Sequence, residues 1–216
     1  MFHVKRDPVA PLLELIATAQ QRLVADRSPA ALAAHAADAR SSLDLLVGES
    51  GSLIDVGSGA GFPGIPILLE RPDLAGMLLD SRARRCAHLA TAVAACGLAG
   101  RVEVLNQRAE EHAAGPGREV YGVAVARALA PPPVAIELCL PLLRTGGLLV
   151  LHAGAVDRVQ AEEAAFALGG AVETLRRVPG FERRNQLAVR KTGPTPPGFP
   201  RKVGAAARDP FVRGAD

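Results

Sequence analysis

The 216-residue chain reads as an α/β protein built on a mostly parallel sheet with helices on both faces. Three observations predict this. From residue 53 onward, short β-branched or leucine-rich runs alternate with longer stretches of helical periodicity. The first of these runs ends in a turn with glycine at alternate positions. At 49% apolar and 22% charged, the composition is that of a globular chain, and the length suits one sizeable core.

Residues 9–48 are rich in Ala and Leu, with Leu12, Leu15, Ile16, Ala19 and Leu23 at helical spacing and a break at Ser28-Pro29. This predicts two helices, forming an N-terminal helical extension over residues 1–50. Strands are predicted at 53–56, 77–80, 102–105, 121–126, 148–152, 171–176 and 187–190, which makes a seven-stranded sheet. The helices between them are predicted at 63–70, 82–96, 132–143 and 157–168. Strands separated by helices of this length pair in parallel through right-handed crossovers. Ser81 is placed to N-cap the helix after it, Gly97 to follow that helix, and Pro132 to sit in a first turn. After Thr192 the run Gly193-Pro194-Thr195-Pro196-Pro197-Gly198 predicts a tail over 193–216, lying on or leaving a domain that spans 51–192.

Composition excludes several function classes. The richest uncharged apolar run, 145–156, is twelve residues long and contains His152, short of the roughly 18 that a membrane-spanning helix needs. Met1-Phe2-His3-Val4-Lys5-Arg6-Asp7-Pro8 lacks the apolar segment of a secretory signal, so a soluble cytoplasmic protein, and a monomer, is expected. Cys86, Cys96 and Cys139 match no zinc or redox spacing, and their apolar neighbours predict buried packing with no metal site. From residue 176 to 216, ten Lys and Arg face three acids, a net +7, which leaves −4 on the first 175 residues. That asymmetry suggests a polyanionic partner for the C-terminal part.

The most informative segment is Leu53-Ile54-Asp55-Val56-Gly57-Ser58-Gly59-Ala60-Gly61-Phe62-Pro63-Gly64. In an open α/β sheet, ligands bind beyond the carboxyl end of the first strand, where glycines let the backbone approach them. Gly59-x-Gly61-x-x-Gly64 satisfies a dinucleotide fingerprint literally. Yet Pro63 and Pro66 flank the last glycine, and Asp55 would repel a pyrophosphate. Asp55, Gly57, Ser58, Gly59 and Gly61 suit a cofactor carrying an α-amino group and a sulfonium, and S-adenosylmethionine fits better. Asp80 ends the second strand nineteen residues after Gly61, beside Ser81, where an acid accepts hydrogen bonds from ribose hydroxyls; alone it would read as a helix-start residue. Gln107-Arg108-Ala109-Glu110 follows the third strand at the edge where an adenine would rest. Glu110 reads there either as a site residue or as a solvated helix-start acid. Arg127, after the small apolar run 123–126, is expected to line the same cleft.

These residues resemble a known family. Asp55 to Pro66, Leu78-Leu79-Asp80-Ser81 with Arg84-Arg85, Arg108-Ala109-Glu110-Glu111, Ala126-Arg127-Ala128 and Arg184-Asn185-x-Leu187-Ala188-Val189 are similar to the bacterial small-subunit rRNA guanine-N7 methyltransferases (RsmG/GidB). Phe199-Pro200-Arg201-Lys202-x-Gly204 is similar to that family's ending, so the likeness covers residues 51 to about 211. It implies a Rossmann-like, class I S-adenosylmethionine-dependent methyltransferase in which Gly57, Phe62, Ala109, Glu110 and Arg127 contact the cofactor. The implied substrate is a guanine in the 530 loop of 16S ribosomal RNA. The chain departs from the family at its N-terminal region, where only His35-x-x-Asp38 matches, and at Ala153, Val203 and Ala206, which replace Lys and two prolines. A paralogue acting on a small molecule or another RNA base is the alternative.

The residues present agree with N7 chemistry. Methylating an exocyclic amine typically uses an Asp/Asn-Pro-Pro-Tyr-like turn after the fourth strand; here that turn is Ala126-Arg127-Ala128-Leu129-Ala130-Pro131-Pro132-Pro133. Methylating a pyrimidine carbon needs a nucleophilic cysteine, and Cys139 falls mid-helix. Guanine N7 has a free lone pair, so alignment for in-line displacement is the main requirement. The major groove of A-form RNA is too deep and narrow for side chains, so a single-stranded or splayed-out base is expected. Arg127 is the candidate positioning residue, toward either the guanine edge or the cofactor carboxylate. Arg184, Arg201, Lys202 and Arg208 are the candidate phosphate contacts. Neutralising the tail cations is expected to leave cofactor binding untouched.

Overall fold

The computed structural model describes residues 7–210, so Met1 to Arg6 of the segment that lacks a secretory signal, and Arg213 and Asp216 of the tail, lie outside the described residues. Two helices lead, α1 (Ala10–Thr18) and α2 (Pro29–Arg40). Ser28 Oγ caps α2 by accepting the Ala31 N–H at 3.3 Å, and Pro29 occupies the first turn. The order continues β1 (Ser52–Val56), α3 (Gly64–Glu70), β2 (Ala75–Asp80), α4 (Ala83–Ala95), β3 (Val102–Asn106), α5 (Ala109–Ala113) and β4 (Tyr121–Arg127). It ends with α6 (Pro132–Cys139), β5 (Leu143–Ala153), α7 (Arg158–Ala167), β6 (Gly170–Arg177), β7 (Asn185–Lys191) and α8 (Ala205–Arg208).

The strands form one seven-stranded sheet in the order β3-β2-β1-β4-β5-β7-β6. The first five pair in parallel, as their helical crossovers require; β7 is antiparallel to both β5 and β6. No helix separates β6 from β7, and the chain turns back through Gly180 at φ +81°. Side chains alternate across the sheet. Ile54, Val56, Ala124, Ala126, Leu149 and Leu151 join one core with residues of α6 and α7, whereas Leu53, Val123, Val125 and Val150 join a second core with α1 to α4. The strand order reverses between β1 and β4, which opens a crevice at their carboxyl ends.

Some elements differ from expectation. The helix predicted over 132–143 stops at Cys139 and tightens into a 3-10 turn over Leu140–Leu142, because Pro141 has no N–H to continue it. β5 consequently starts at Leu143, earlier than expected. Ser81 does not cap α4; the Asp80 carboxylate already accepts the Arg82 N–H at 2.9 Å. Helices α5 and α8 are short and carry too little periodicity to be read from sequence.

Candidate functional site

A cleft of about 250 Å³ lies at the carboxyl ends of β1 to β4. Its floor is Gly57, at the start of the glycine turn after β1; Ser58, Gly59 and Gly61, expected beside the cofactor, lie outside the lining, and a Cβ on Gly61 would meet Ile65 Cδ1 at 2.7 Å, so packing against α3 accounts for that glycine. Gly57 and Ser58 donate their N–H groups to Leu79 O at 2.8 and 3.0 Å, and Gly59 donates to Asp80 Oδ2 at 3.0 Å. Gly57 sits at φ +73°, and a Cβ there would come within 2.7 Å of Leu129 Cδ1, so backbone alone fits against the cleft. Asp80 is buried and faces the cleft with Ser81 beside it; Arg85 Nη1 lies 3.5 Å from Asp80 Oδ2. Leu129, Val134 and Leu138 supply an apolar side. Ala128, also in the lining, holds φ +52°, a strained value for a residue with a Cβ.

Asp55 lies beneath this floor, fully buried and not in the cleft lining. Its Oδ2 accepts the Gly64 N–H at 3.0 Å, so the acid fixes the start of α3 instead of facing a ligand. A Cβ on Gly64 would reach within 2.6 Å of Asp55 Oδ2, which explains the fourth glycine of the run without a pyrophosphate. Asp55 Oδ1 has no partner, and burial pushes the carboxyl up to about 7.

Arg127 does not line this cleft either. It points toward α2, where Nη1 donates to Asp38 Oδ2 at 3.4 Å and to His35 Nδ1 at 3.3 Å, and its guanidinium lies 4.8 Å from the Phe62 ring centroid. Asp38 Oδ1 also lies 3.4 Å from His152 Nδ1. Because His35 Nδ1 accepts from a cation, its proton sits on Nε2. Burial, with the charges of Arg127 and Arg184, holds His35 below the usual histidine range, so the ring is neutral at pH 7. Asp38 stays below its usual range despite burial because His152 and Arg127 face it. Phe62 and Arg127 thus gather beside the glycine turn, on the α2 side, within reach of the charge of Arg184. The His35-x-x-Asp38 spacing places both side chains on one face of α2, a signal open to sequence reading; the His152 contact was not.

Glu110 is buried, not solvated. Its Oε1 accepts the Gly204 N–H at 2.9 Å and an Arg108 N–H at 3.2 Å, at the edge of the cleft where Ala109 also sits. The residues after β7 lie on the domain: Arg118 donates to Phe199 O at 2.6 Å and Thr195 O at 3.1 Å. Arg201 grips the buried Glu137 through Nε and Nη2 at 2.7 and 2.6 Å and donates to Asp209 O. This corrects the expectation of a phosphate contact at Arg201, whose charge is spent on a buried carboxylate. Lys202 and Arg208 are exposed. Ala206 and Ala207 line the cleft, which sequence reading missed.

Comparison with known proteins decides the family. The model for rRNA small subunit methyltransferase G (GidB) matches residues 10–187. The chain belongs to the GidB family. A ribosomal RNA small subunit methyltransferase G from Acetivibrio thermocellus is 35% identical over 82% of this chain and 76% of its own length. Its namesake from Moorella thermoacetica is 37% identical over 78% and 73%. The fold likeness extends to an O-methyltransferase family protein from Burkholderia thailandensis, with TM-score 0.59 and 16% identity over 73% of this chain and 55% of that one. As a GidB-family methyltransferase, the chain uses S-adenosylmethionine as its methyl donor. The cleft fits that molecule: a backbone-only passage at Gly57, a buried acid at the end of β2 and an apolar side are what a nucleoside with a charged amino-acid arm requires. Among the described residues, no cluster of metal ligands occurs and no helix is long and apolar enough to cross a membrane.

Proposed function

We propose that the protein transfers the methyl group of S-adenosylmethionine to N7 of a guanine in the 530 loop of 16S ribosomal RNA. It acts as a cytoplasmic monomer on the small-subunit RNA or its assembly particle. The observation that carries this reading is the pairing of polar groups at the carboxyl end of β4: Arg127 is balanced by Asp38, and His35 has its one free lone pair, on Nδ1, already taken by Arg127 Nη1, so neither stands ready to accept a proton. An acceptor that must lose a proton needs a base there, whereas N7 attacks with a lone pair it already has. Cys139 is buried in α6 with its thiol pushed up by burial, which unsuits it as a nucleophile.

When bound, the donor supplies an electrophilic methyl group on a sulfonium. Gly57 lets the backbone pass close to it, with Ser58, Gly59 and Gly61 shaping the turn behind, and Asp80 with Ser81 receives the ribose hydroxyls. Ala109 and Glu110 form the adenine edge. Asp55 acts indirectly, by holding Gly64 and thereby the turn. Arg127, fixed by Asp38 and set against the Phe62 ring outside the donor cleft, orients the acceptor, and the neutral His35 adds no charge against the cation that N7 methylation creates. Arg184, Lys202 and Arg208 meet RNA phosphates. Mass spectrometry of 16S rRNA nucleosides from a deletion strain tests the proposal. Loss of one 7-methylguanosine, restored by the wild-type gene, is expected; an unchanged nucleoside profile overturns it.

A further inference from the structure

We propose that the C-terminal segment 203–208 is a wall of the methyl-donor cleft and a determinant of donor affinity. The inference rests on the donor assignment above and extends it to residues beyond 187, where the family match stops. Ala206 and Ala207 line the same cleft as Gly57, Asp80 and Glu110. Ala206 is itself buried and shares a core cluster with Val134 and Leu138, so the wall is packed against α6.

Two anchors hold it there. The Gly204 N–H is tied to Glu110 Oε1 at 2.9 Å, which joins the segment to the β3–α5 edge of the cleft. The pair between Arg201 and Glu137 joins it to α6. Gly204 turns the chain at φ +74°, bringing α8 over the cleft. Small side chains at 206 and 207 keep this part of the cleft open, and a bulky one would fill it. Because Ala207 is exposed, enlarging it leaves the core intact, which separates blockage from misfolding.

S-adenosylhomocysteine, the demethylated donor, is the probe. Calorimetry on wild type, Ala207→Ser and Ala207→Trp should show tight binding by the first two and about tenfold or greater loss in Ala207→Trp, at an unchanged thermal midpoint. Hydrogen exchange on the wild type supplies a second readout. The amides of Arg208 and Asp209, bonded to Gly204 O and Ala205 O, should exchange more slowly once the probe is added. Wild-type binding that Ala207→Trp leaves unchanged, or protection confined to the turns after β1 and β2, overturns the tail assignment alone. Failure of the wild type to bind overturns the donor assignment and this one with it.

Discussion

Glu137 on α6 and Arg201 in the C-terminal tail meet in a two-pronged ion pair, at 2.7 and 2.6 Å, although 64 residues separate them. Glu137 is 1% exposed, so removing Arg201 would leave its carboxylate buried without its partner. Arg201→Met should cost about 2–4 kcal/mol, less than a fully buried pair because Arg201 is partly exposed. Adding Glu137→Leu should restore most of the loss. Urea unfolding of the two variants beside wild type measures both effects; equal instability of single and double variants would show that the loss comes from the other contacts of Arg201, such as Asp209 O, and not from an uncompensated Glu137.

Asp80 serves two tasks that can be separated. Asp80→Ala removes the acceptor of the Gly59 and Arg82 N–H groups along with the ribose contact, so both stability and donor affinity should fall, the latter by about 1.5–3 kcal/mol. Asp80→Asn keeps one oxygen acceptor and should preserve the fold while still weakening binding. Calorimetry with S-adenosylhomocysteine on the folded Asn variant checks the ribose role; wild-type affinity would reduce Asp80 to a loop anchor.

Gly57→Val should abolish donor binding. A Cβ at this site meets Leu129, and the positive φ adds strain of about 1 kcal/mol or more. Pairing Gly57→Ala with Leu129→Ala removes the side-chain clash and leaves the backbone strain, so stability should partly return. Donor affinity should return less, because the methyl group still faces the cleft. Thermal unfolding and calorimetry on the same samples distinguish these outcomes.

The buried Asp55 should impose a pH dependence. Its folded value of about 7 lies above the roughly 3.9 of an unfolded chain, so the native state holds a proton that the unfolded state releases. Its contribution to stability is therefore complete below about pH 4 and is lost as pH rises through 7. Asp55→Asn removes this loss, and its stability relative to wild type should increase between pH 4 and pH 8. Chemical denaturation across that range measures the difference; a constant offset would mean that Asp55 does not titrate in this window.

Among the described residues, Lys202 and Arg208 remain the tail cations exposed for RNA. Neutralising both to Gln, with Arg201 kept, should make the slope of log K against log salt shallower by about 0.7 per lost contact to single-stranded RNA. A salt titration of RNA binding beside wild type checks it, and an unchanged slope would remove the tail from the RNA surface.

Much of this protein was legible in its sequence. The alternation of strand and helix runs from residue 53 specified the layers, and the glycine turn after β1 specified the end of the sheet that carries the site. Both signals are local: periodicity and backbone freedom act within a few residues. The tertiary structure decided what each charged side chain does. Asp55 and Arg127 sit in motif positions that sequence reading aims at the cofactor, yet one pins Gly64 and the other pairs with Asp38, 89 residues away. Arg201 reads as a free cation in a basic tail, and only its meeting with Glu137 shows it to be an anchor. Charge and residue type fix what a side chain can bind, but burial and the arrival of a distant partner determine which of those bonds forms. Those are set by how the chain packs, which no local pattern contains.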